Sequence, residues 1–234
     1  MSTRPSQTPT YPADAGATPY LLTVRGKPVG TSADAARETH NATAGAPQSV
    51  AGARSLGDLS HNVYIGLGDN AGEILFIDVW NSLSGLGRFF GDPQVQEAAG
   101  HLFAERRPDV WAPTEGYGTF HLQVPSGSAV QAVGILRSPL TAPDKAAAAF
   151  SAYSAATMNV ARTHGLASHS TWLRVPDPGT DGAPEILGVD TWTDVARMNT
   201  FYDLGLGYEH LGPVLSDAAR TSIWQSAPGA WVGW

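Results

Sequence analysis

The chain has 234 residues, enough for one large domain or two small ones with a buried core. Its formal net charge is −7 and no Lys/Arg cluster is longer than Arg106-Arg107, which excludes the basic face that nucleic-acid-binding proteins usually need. The absence of cysteine excludes disulfides and cysteine nucleophiles, and no apolar run approaches the roughly 18 residues that cross a bilayer. We expect a cytoplasmic protein whose partners include neither nucleic acid nor a membrane.

The first part of the chain is predicted to follow the order β-α-β-β-α-β. Residues 1–18, rich in Ser, Thr, Pro and Ala, are predicted to form a flexible N-terminal tail. Within residues 19–126 the elements are expected at 20–25 (strand), 31–54 (helix), 61–67 and 74–80 (a hairpin), 83–103 (helix) and near 118–124 (strand). Proline removes a helix hydrogen bond, so a break is expected in the first helix at Gly45-Ala46-Pro47.

Residues 127–234 repeat this order. Their elements are expected at 130–136 (strand), 143–163 (helix), 169–175 and 186–192 (a hairpin), 195–219 (helix) and a final Trp-rich strand. The sequences also match locally, since Thr31-x-x-Asp34, Ser60-His61 and Glu73 to Trp80 align with Thr141-x-x-Asp144, Ser168-His169 and Glu185 to Trp192. We therefore predict an α+β protein built from two tandem ferredoxin-like repeats.

A strand that ends in acid-x-Trp before a helix occurs in both halves, at Asp78-Val79-Trp80 and Asp190-Thr191-Trp192. This pattern resembles the antibiotic-biosynthesis-monooxygenase-like members of the dimeric α+β barrel superfamily, and the resemblance extends by topology over residues 20–234. It implies two ferredoxin-like sheets that close into one α+β barrel, here within a single chain. A histidine that the family often carries on the following helix has no match, since Phe89 and Phe201 lie in that region.

Alternation along the strands sorts the side chains onto two faces of each sheet. Leu75, Ile77 and Val79 are assigned to the face covered by helices, and the intervening residues to the barrel interior. Aromatic rings with a few convergent polar groups are typical of a small-molecule pocket. The predicted substrate-binding residues are Asn41, Asn62, Phe76, Trp80, Trp172, Arg174, Asp190 and Trp192.

Residues repeated in both halves also have a structural interpretation. Asp78 and Asp190 could pair with Arg25 or Arg174 across the sheet, and His61 and His169, on the helix side of their strands, could be hydrogen-bonded structural histidines. Positions at which the halves differ are better candidates for a single active centre. The predicted catalytic residues are His121 and His40 as proton acceptors, Tyr64 as oxyanion stabiliser, helped by Asn62, and Asp78 as the group that orients the base.

The asymmetry of these residues places the predicted active centre mainly in the first half, with a pocket lined by Tyr64, Phe76, Trp80 and His121. The terminal Trp231-Val232-Gly233-Trp234 is expected to plug the pocket of the second half. On this view His121→Ala lowers turnover, whereas His169→Ala mainly lowers thermal stability.

Three functions remain open from sequence. The first is a cofactor-independent enzyme of monooxygenase, cyclase or lyase type that acts on a small aromatic or polyketide-like molecule. The second is a non-catalytic protein of the same fold, related to stress or to ligand sequestration. The third is a structural homo-oligomer with a filled barrel, which a cavity above roughly 300 Å³ would exclude. No cofactor and no metal site are expected, because the histidines are scattered along the chain.

Overall fold

The computed structural model describes residues 18–30, 32–121, 129–176 and 183–234. Within these ranges the chain forms nine strands and seven α-helices, which confirms the predicted α+β class. No helix in the described ranges is both long and apolar enough to cross a membrane. Contacts divide the chain into two compact units, described in turn.

The N-terminal unit contains residues 18–110 and also Ser226–Trp234. Its elements, in chain order, are β1 (Tyr20–Pro28), α1 (Ala33–Ala42), α2 (Pro47–Ser55), β2 (Asp58–Gly66), β3 (Ile74–Trp80), α3 (Leu83–Phe90), α4 (Pro93–Leu102) and β4 (Phe103–Pro113), whose last three residues belong to the other unit. The strand order is β4-β1-β3-β2. The predicted break in the first helical region is confirmed, because α1 ends at Ala42 and α2 begins at Pro47, where the missing proline N–H leaves no intrahelical bond unmade.

The C-terminal unit contains Trp111–Gln225. Its elements, after the end of β4, are β5 (Phe120–His121), β6 (Ala132–Pro139), α5 (Pro143–Thr163), β7 (Leu166–Arg174), β8 (Glu185–Trp192), α6 (Val195–Asp203), α7 (Tyr208–Leu211) and β9 (Arg220–Ser226). The strand order is β9-β6-β8-β7-β5. As in the N-terminal unit, the first strand lies antiparallel to the third and the third to the second.

The two units use the same strand register. In the N-terminal unit Asp78 lies between Leu22 on β1 and His61 on β2. In the C-terminal unit Asp190 lies between Gly134 on β6 and His169 on β7. Residues that are one repeat apart therefore occupy the same place in each sheet.

Two sequence predictions about the elements are corrected. The last strand of the first half was placed near 118–124, but the long strand is β4, which follows α4 without a loop; only Phe120 and His121 of the predicted range form a strand, and 122–128 lie outside the described residues. The helical prediction for 195–219 is also too long, since α6 and α7 are short and glycines with positive φ separate them, at Gly205 and Gly207.

The face assignment of β3 and β8 was inverted. Phe76 and Trp80 pack against Ala36, Ala53 and Leu86 of the helices, not into a pocket on the other face. Trp192 likewise packs against the helix residues Met198 and Phe201. Directly paired residues on neighbouring strands share a face, so Asp78 must lie on the side of its partner His61. The helix-side assignment of His61 was right, and it should have fixed that of Asp78.

The segment that follows the last strand of each repeat returns to a histidine-bearing strand. Phe120 on β5 pairs with His169 of β7 in the C-terminal unit. In the N-terminal unit His61 and Trp234 exchange two backbone hydrogen bonds, with N···O distances of 2.8 and 3.3 Å. The predicted halves, 19–126 and 127–234, describe the sequence repeat, whereas the compact units exchange these end segments.

Candidate functional site

A histidine–aspartate pair lies in the C-terminal unit, on the helix-covered face of its sheet. His169 Nδ1 is 2.6 Å from Asp190 Oδ1, and both residues sit at paired positions of β7 and β8. His169 is almost fully buried. Paired strand positions hold the two side chains at hydrogen-bonding distance with little freedom, so the geometry is set by the sheet itself.

The second carboxylate oxygen of Asp190 is also engaged. Tyr202 on α6 donates its hydroxyl proton to Asp190 Oδ2 at 2.9 Å, and the indole N–H of Trp192 lies 3.3 Å from the Tyr202 oxygen. Asp190 therefore acts as an acceptor on both sides, and His169 donates from Nδ1. In a neutral imidazole the other nitrogen then carries the lone pair. Among the described residues, His169 Nε2 is buried without a hydrogen-bond partner.

His169 lines a cavity of about 110 Å³ inside the C-terminal unit. Many of the lining residues are aromatic or aliphatic, and the polar side chains among them are those of His169, Asp190, three tyrosines, Thr221 and Ser222. Tyr208, on the cavity wall, keeps 40% of its surface exposed, so this part of the wall is accessible to solvent from outside. The tyrosines that line it are Tyr153, Tyr202 and Tyr208.

The three tyrosines remain neutral around this cavity. Burial, followed by the Asp190 charge, raises the pKa of Tyr153, of Tyr202 and of Tyr208. A neutral phenol is a hydrogen-bond donor. Since Tyr202 is committed to Asp190, Tyr153 and Tyr208 are the lining tyrosines whose hydroxyls can donate to an oxygen anion formed in the cavity.

Two glycines make room for the cavity. Gly188 stands where the N-terminal unit has Phe76, and a Cβ added there would meet Leu136 Cβ at an ordinary 3.6 Å. Gly134 stands where the N-terminal unit has Leu22, and a Cβ there would fall 2.0 Å from the Tyr202 hydroxyl. The missing side chain at Gly188 leaves empty space, and the missing side chain at Gly134 lets the Tyr202 hydroxyl reach Asp190.

The equivalent pair of the N-terminal unit has the same core geometry but a different neighbour. His61 Nδ1 lies 2.6 Å from Asp78 Oδ1, as in the second pair. Its Nε2, however, is 3.0 Å from Nε2 of His40 at the end of α1. Both histidines are buried, and burial together with the neighbouring His61 lowers the pKa of His40 to about 4.

Asn41 determines which imidazole nitrogens carry protons in the hydrogen-bonded series Asn41–His40–His61–Asp78. Its amide donates to the Ala230 carbonyl at 2.8 Å and its oxygen accepts from the Val232 N–H at 3.0 Å, which fixes the orientation of the amide. The same oxygen is 3.0 Å from His40 Nδ1, so that nitrogen must donate. Neutral His40 then accepts at Nε2 from His61, and His61 donates from both nitrogens.

Aromatic rings close the N-terminal pair. Trp234 stacks on His61 with centroids 4.8 Å apart, and Trp231 lies 5.2 Å from His40. Phe76 packs edge-on against both imidazoles. The terminal Trp-rich segment was expected to plug the second half, but it covers the histidines of the N-terminal unit instead.

The structure separates the predicted catalytic residues. His40 and Asp78 join one hydrogen-bonded chain through His61, with Asn41 and Phe76 in contact with it. Tyr64 is buried on the opposite face of β2, as is half-buried Asn62. His121 is an exposed residue on β5 in the C-terminal unit, and the burial of part of its side chain lowers its pKa. The predicted pocket of Tyr64, Phe76, Trp80 and His121 is therefore not formed.

The remaining predicted residues have other surroundings. Asp190 is the carboxylate of the cavity, and the suggested pairing of the aspartates with arginine is wrong, because Arg25 pairs with Glu73, and Arg174 approaches Glu185 at 3.9 Å. The indole N–H of Trp172 donates to Ser170 Oγ at 2.9 Å. Trp192 and Trp80 lie in the cores beneath the helices.

Sequence reasoning interpreted His169 as structural and did not select Tyr153, Tyr202, Tyr208, Gly134 or Gly188. A signal for the glycine was present, since the repeat alignment places Gly188 opposite Phe76. Tyr202 and Tyr208 had no comparable signal, because α6 and α7 were predicted as one helix. Tyr153 lies on α5, and its position in a helix does not by itself place it at a cavity. Across the described ranges, no group of three or more His, Cys, Asp or Glu side chains is arranged to hold a metal ion.

Comparison with solved structures identifies the fold. An anthrone oxidase-like protein matches with a TM-score of 0.63 and 12% sequence identity, over 91% of this chain and 92% of that chain. The chain has the fold of the dimeric α+β barrel superfamily. The fold that the resemblance implied is thereby confirmed.

Two further structures with this α+β barrel fold match at similar coverage. A protein from Fusobacterium nucleatum subsp. nucleatum, provisionally named a monooxygenase, has a TM-score of 0.56 and 9% identity, over 92% of this chain and 94% of that chain. A mutant chlorite dismutase from Candidatus Nitrospira defluvii has a TM-score of 0.53 and 10% identity, over 92% and 93%. No protein-family model and no curated protein sequence matches the chain.

Proposed function

We propose that this α+β barrel protein is a cofactor-independent monooxygenase that acts on a small aromatic molecule in the cavity of the C-terminal unit. The observation that carries the proposal is the buried, unpartnered Nε2 of His169 beside a cavity, with Nδ1 held by Asp190. A nitrogen with a free lone pair, oriented from behind by a carboxylate, is the arrangement expected of a general base.

The reaction begins with proton transfer. His169 Nε2 removes the acidic proton of the aromatic substrate, and Asp190 stabilises the imidazolium that forms. Tyr153 and Tyr208 donate hydrogen bonds to the oxygen anion of the substrate. The apolar wall excludes water, which strengthens these interactions.

Dioxygen is the oxidant, and the substrate supplies the electrons. For a phenol with a free para C–H, electron transfer to O₂ and C–O bond formation give a hydroperoxide. Loss of water from it, with the para hydrogen, leaves a quinone: C₆H₆O + O₂ → C₆H₄O₂ + H₂O. The imidazolium of His169 gives its proton to the peroxide anion, which makes the hydroperoxide. Neutral His169 then removes the para proton and passes it to the departing hydroxide, which leaves as water. The names of two neighbours, an anthrone oxidase-like protein and the provisionally named monooxygenase, support this reaction class.

Oxygen uptake tests the proposal. The purified protein is assayed with an oxygen electrode against anthrone and a panel of single-ring phenols, with buffer and heat-denatured protein as blanks. We expect uptake above both blanks, and a loss of about 10²–10⁴ in rate for His169→Ala. His121→Ala is the matched control, because His121 is not among the residues that line the cavity, and it should retain the parent rate.

The same assay separates the alternatives that sequence left open. Loss of uptake in His121→Ala with an unchanged rate in His169→Ala would refute the assignment of the base. Aromatic binding without any uptake would support the non-catalytic, ligand-sequestering alternative. The cavity of about 110 Å³ is below the roughly 300 Å³ that would exclude the third alternative, so the structural homo-oligomer stays a prediction, and light scattering on the purified protein checks the oligomeric state.

A further inference from the structure

In the N-terminal unit the ring of Phe76 fills the position beside the histidine that Gly188 leaves empty in the C-terminal unit. Phe76 lies 4.9 Å from His61 between ring centroids, with the planes inclined by 63°. Phe76 pairs with Val63, two residues after His61, and Gly188 pairs with Thr171, two residues after His169. Because the registers agree, Gly188 holds the position of Phe76 relative to its own histidine.

The space beside Gly188 suits one aromatic ring. The cavity of about 110 Å³ includes Gly188 and His169 in its lining. An apolar protein cavity of roughly 150 Å³ accommodates benzene. This cavity is smaller, so a single six-membered ring is the size limit within the walls, and any further ring of a larger substrate must displace or pass the partly exposed Tyr208.

The N-terminal unit also indicates which polar group the ring needs. There, His61 Nε2 meets His40 Nε2 at 3.0 Å, with ring planes only 7° apart, so the contact is edge-to-edge and lies in the plane of the imidazole. By the repeat alignment Phe150 replaces His40 in the C-terminal unit, and it brings no polar atom to the cavity. A ligand must therefore bring its own donor to His169 Nε2.

We propose that the ligand of this cavity is a single-ring phenol. Its ring takes the place that Phe76 fills in the other unit, and its hydroxyl donates in the imidazole plane to His169 Nε2. The inference names the substrate class of the proposed enzyme and rests on that function for its biological meaning, but the binding itself is independent of turnover.

Binding is measured under anaerobic conditions by ¹⁹F NMR, with 4-fluorophenol and fluorobenzene as probes. We expect both to bind the parent protein, with the phenol tighter on the order of tenfold or more, because it satisfies a buried acceptor that fluorobenzene leaves unpaired. Gly188→Phe should abolish both, since it supplies the missing ring. Gly188→Leu serves the same purpose if the larger side chain prevents folding.

The reciprocal control lies in the N-terminal unit. Phe76→Ala, combined with Gly188→Phe, opens space beside His61, whose nitrogens already donate to Asp78 and His40, and this site should not prefer the phenol. Equal affinity of the parent for the two probes, or unchanged phenol binding in Gly188→Phe, would overturn the inference. Oxygen uptake on anthrone without fluorophenol binding would refute the inference alone, and phenol binding without uptake of oxygen would refute the proposed function alone.

Discussion

The two histidine–aspartate pairs have the same Nδ1···Oδ1 distance, 2.6 Å, and differ in what meets the other imidazole nitrogen. In the N-terminal unit it is His40, held by Asn41, so His61 has no lone pair left. In the C-terminal unit no described residue bonds His169 Nε2, and a cavity adjoins the ring. The His61–Asp78 pair is thus a fully hydrogen-bonded structural pair, whereas the His169–Asp190 pair provides a candidate general base.

The difference follows from a few substitutions between the repeats. Phe76 is matched by Gly188, Leu22 by Gly134 and His40 by Phe150. The first two exchanges remove side-chain volume, and the third removes the hydrogen-bond partner of the histidine. Two units with the same strand register can therefore differ, one having a packed core and the other an open site with an unpaired nitrogen.

The largest expected effect distinguishes the two aspartates. Asp190→Asn should reduce oxygen uptake by at least about 10², because the amide no longer holds the Nδ1–H form of His169 and cannot stabilise its imidazolium. Asp78→Asn should leave the turnover per folded molecule unchanged and destabilise the protein by about 3–5 kcal/mol, as expected when one partner of a buried charged pair is lost. Steady-state rates and urea unfolding check both; equal rate losses in the two variants would contradict the comparison.

The next effect concerns packing at positions 76 and 188. Phe76→Ala should cost about 3–5 kcal/mol, because it leaves a void among His40, His61 and Phe103. Gly188→Ala should stabilise by about 0.5–1 kcal/mol, since a methyl group fits there and alanine loses less backbone entropy in a strand. Chemical denaturation measures both, and a destabilising Gly188→Ala would show that the cavity is not open at this strand.

A smaller effect depends on pH. The pKa of His40 falls from 6.5 to about 4 on folding, so between these values the unfolded chain binds a proton that the folded chain does not. Stability from this group is fully present above pH 6.5, is lost as the pH falls to about 4, and amounts to about 3 kcal/mol at most. The raised pKa of Asp58, due to burial and to Asp78, acts in the opposite direction above pH 3.8.

Comparison with His40→Phe isolates this contribution, because phenylalanine is the residue that the C-terminal unit uses at the matching position. The difference in unfolding free energy between parent and variant should shift in favour of the variant as the pH falls from 7 to 4.5. His101→Phe, at an exposed position on α4, should show no such shift. A pH-independent difference for His40→Phe would mean that the pKa of His40 does not change on folding.

Sequence predicted the fold better than the site. The α+β class, the order of elements and the strand from Ile74 to Trp80 were correct, because hydrophobic periodicity and proline positions are local signals. The predicted assignment of β3 side chains to the two sheet faces was wrong, since every residue of that strand is buried and alternation carries no information there. His121 seemed significant because it lacked a counterpart, but only tertiary structure shows that it is exposed.

His169 was set aside for the opposite reason, because it is repeated. Its role depends on what is missing around it, namely side chains at 134 and 188 and a polar residue at 150, and no pattern within a single strand shows such an absence. Comparing the repeats position by position would have indicated the cavity through Gly188. Tyr202 and Tyr208 come from the short helices after β8 and Tyr153 from α5, and the local sequence does not show that the three meet at one cavity.

The most direct test of the comparison is a long-range ¹H–¹⁵N spectrum of the imidazole nitrogens at neutral pH, assigned with single His→Gln variants and recorded with and without phenol. The account predicts that His169 has a protonated Nδ1 and a bare Nε2 whose signal moves when phenol is added, while His61 is protonated at both nitrogens and does not respond. A bare, phenol-responsive nitrogen on His61 together with an unresponsive His169 would contradict this account.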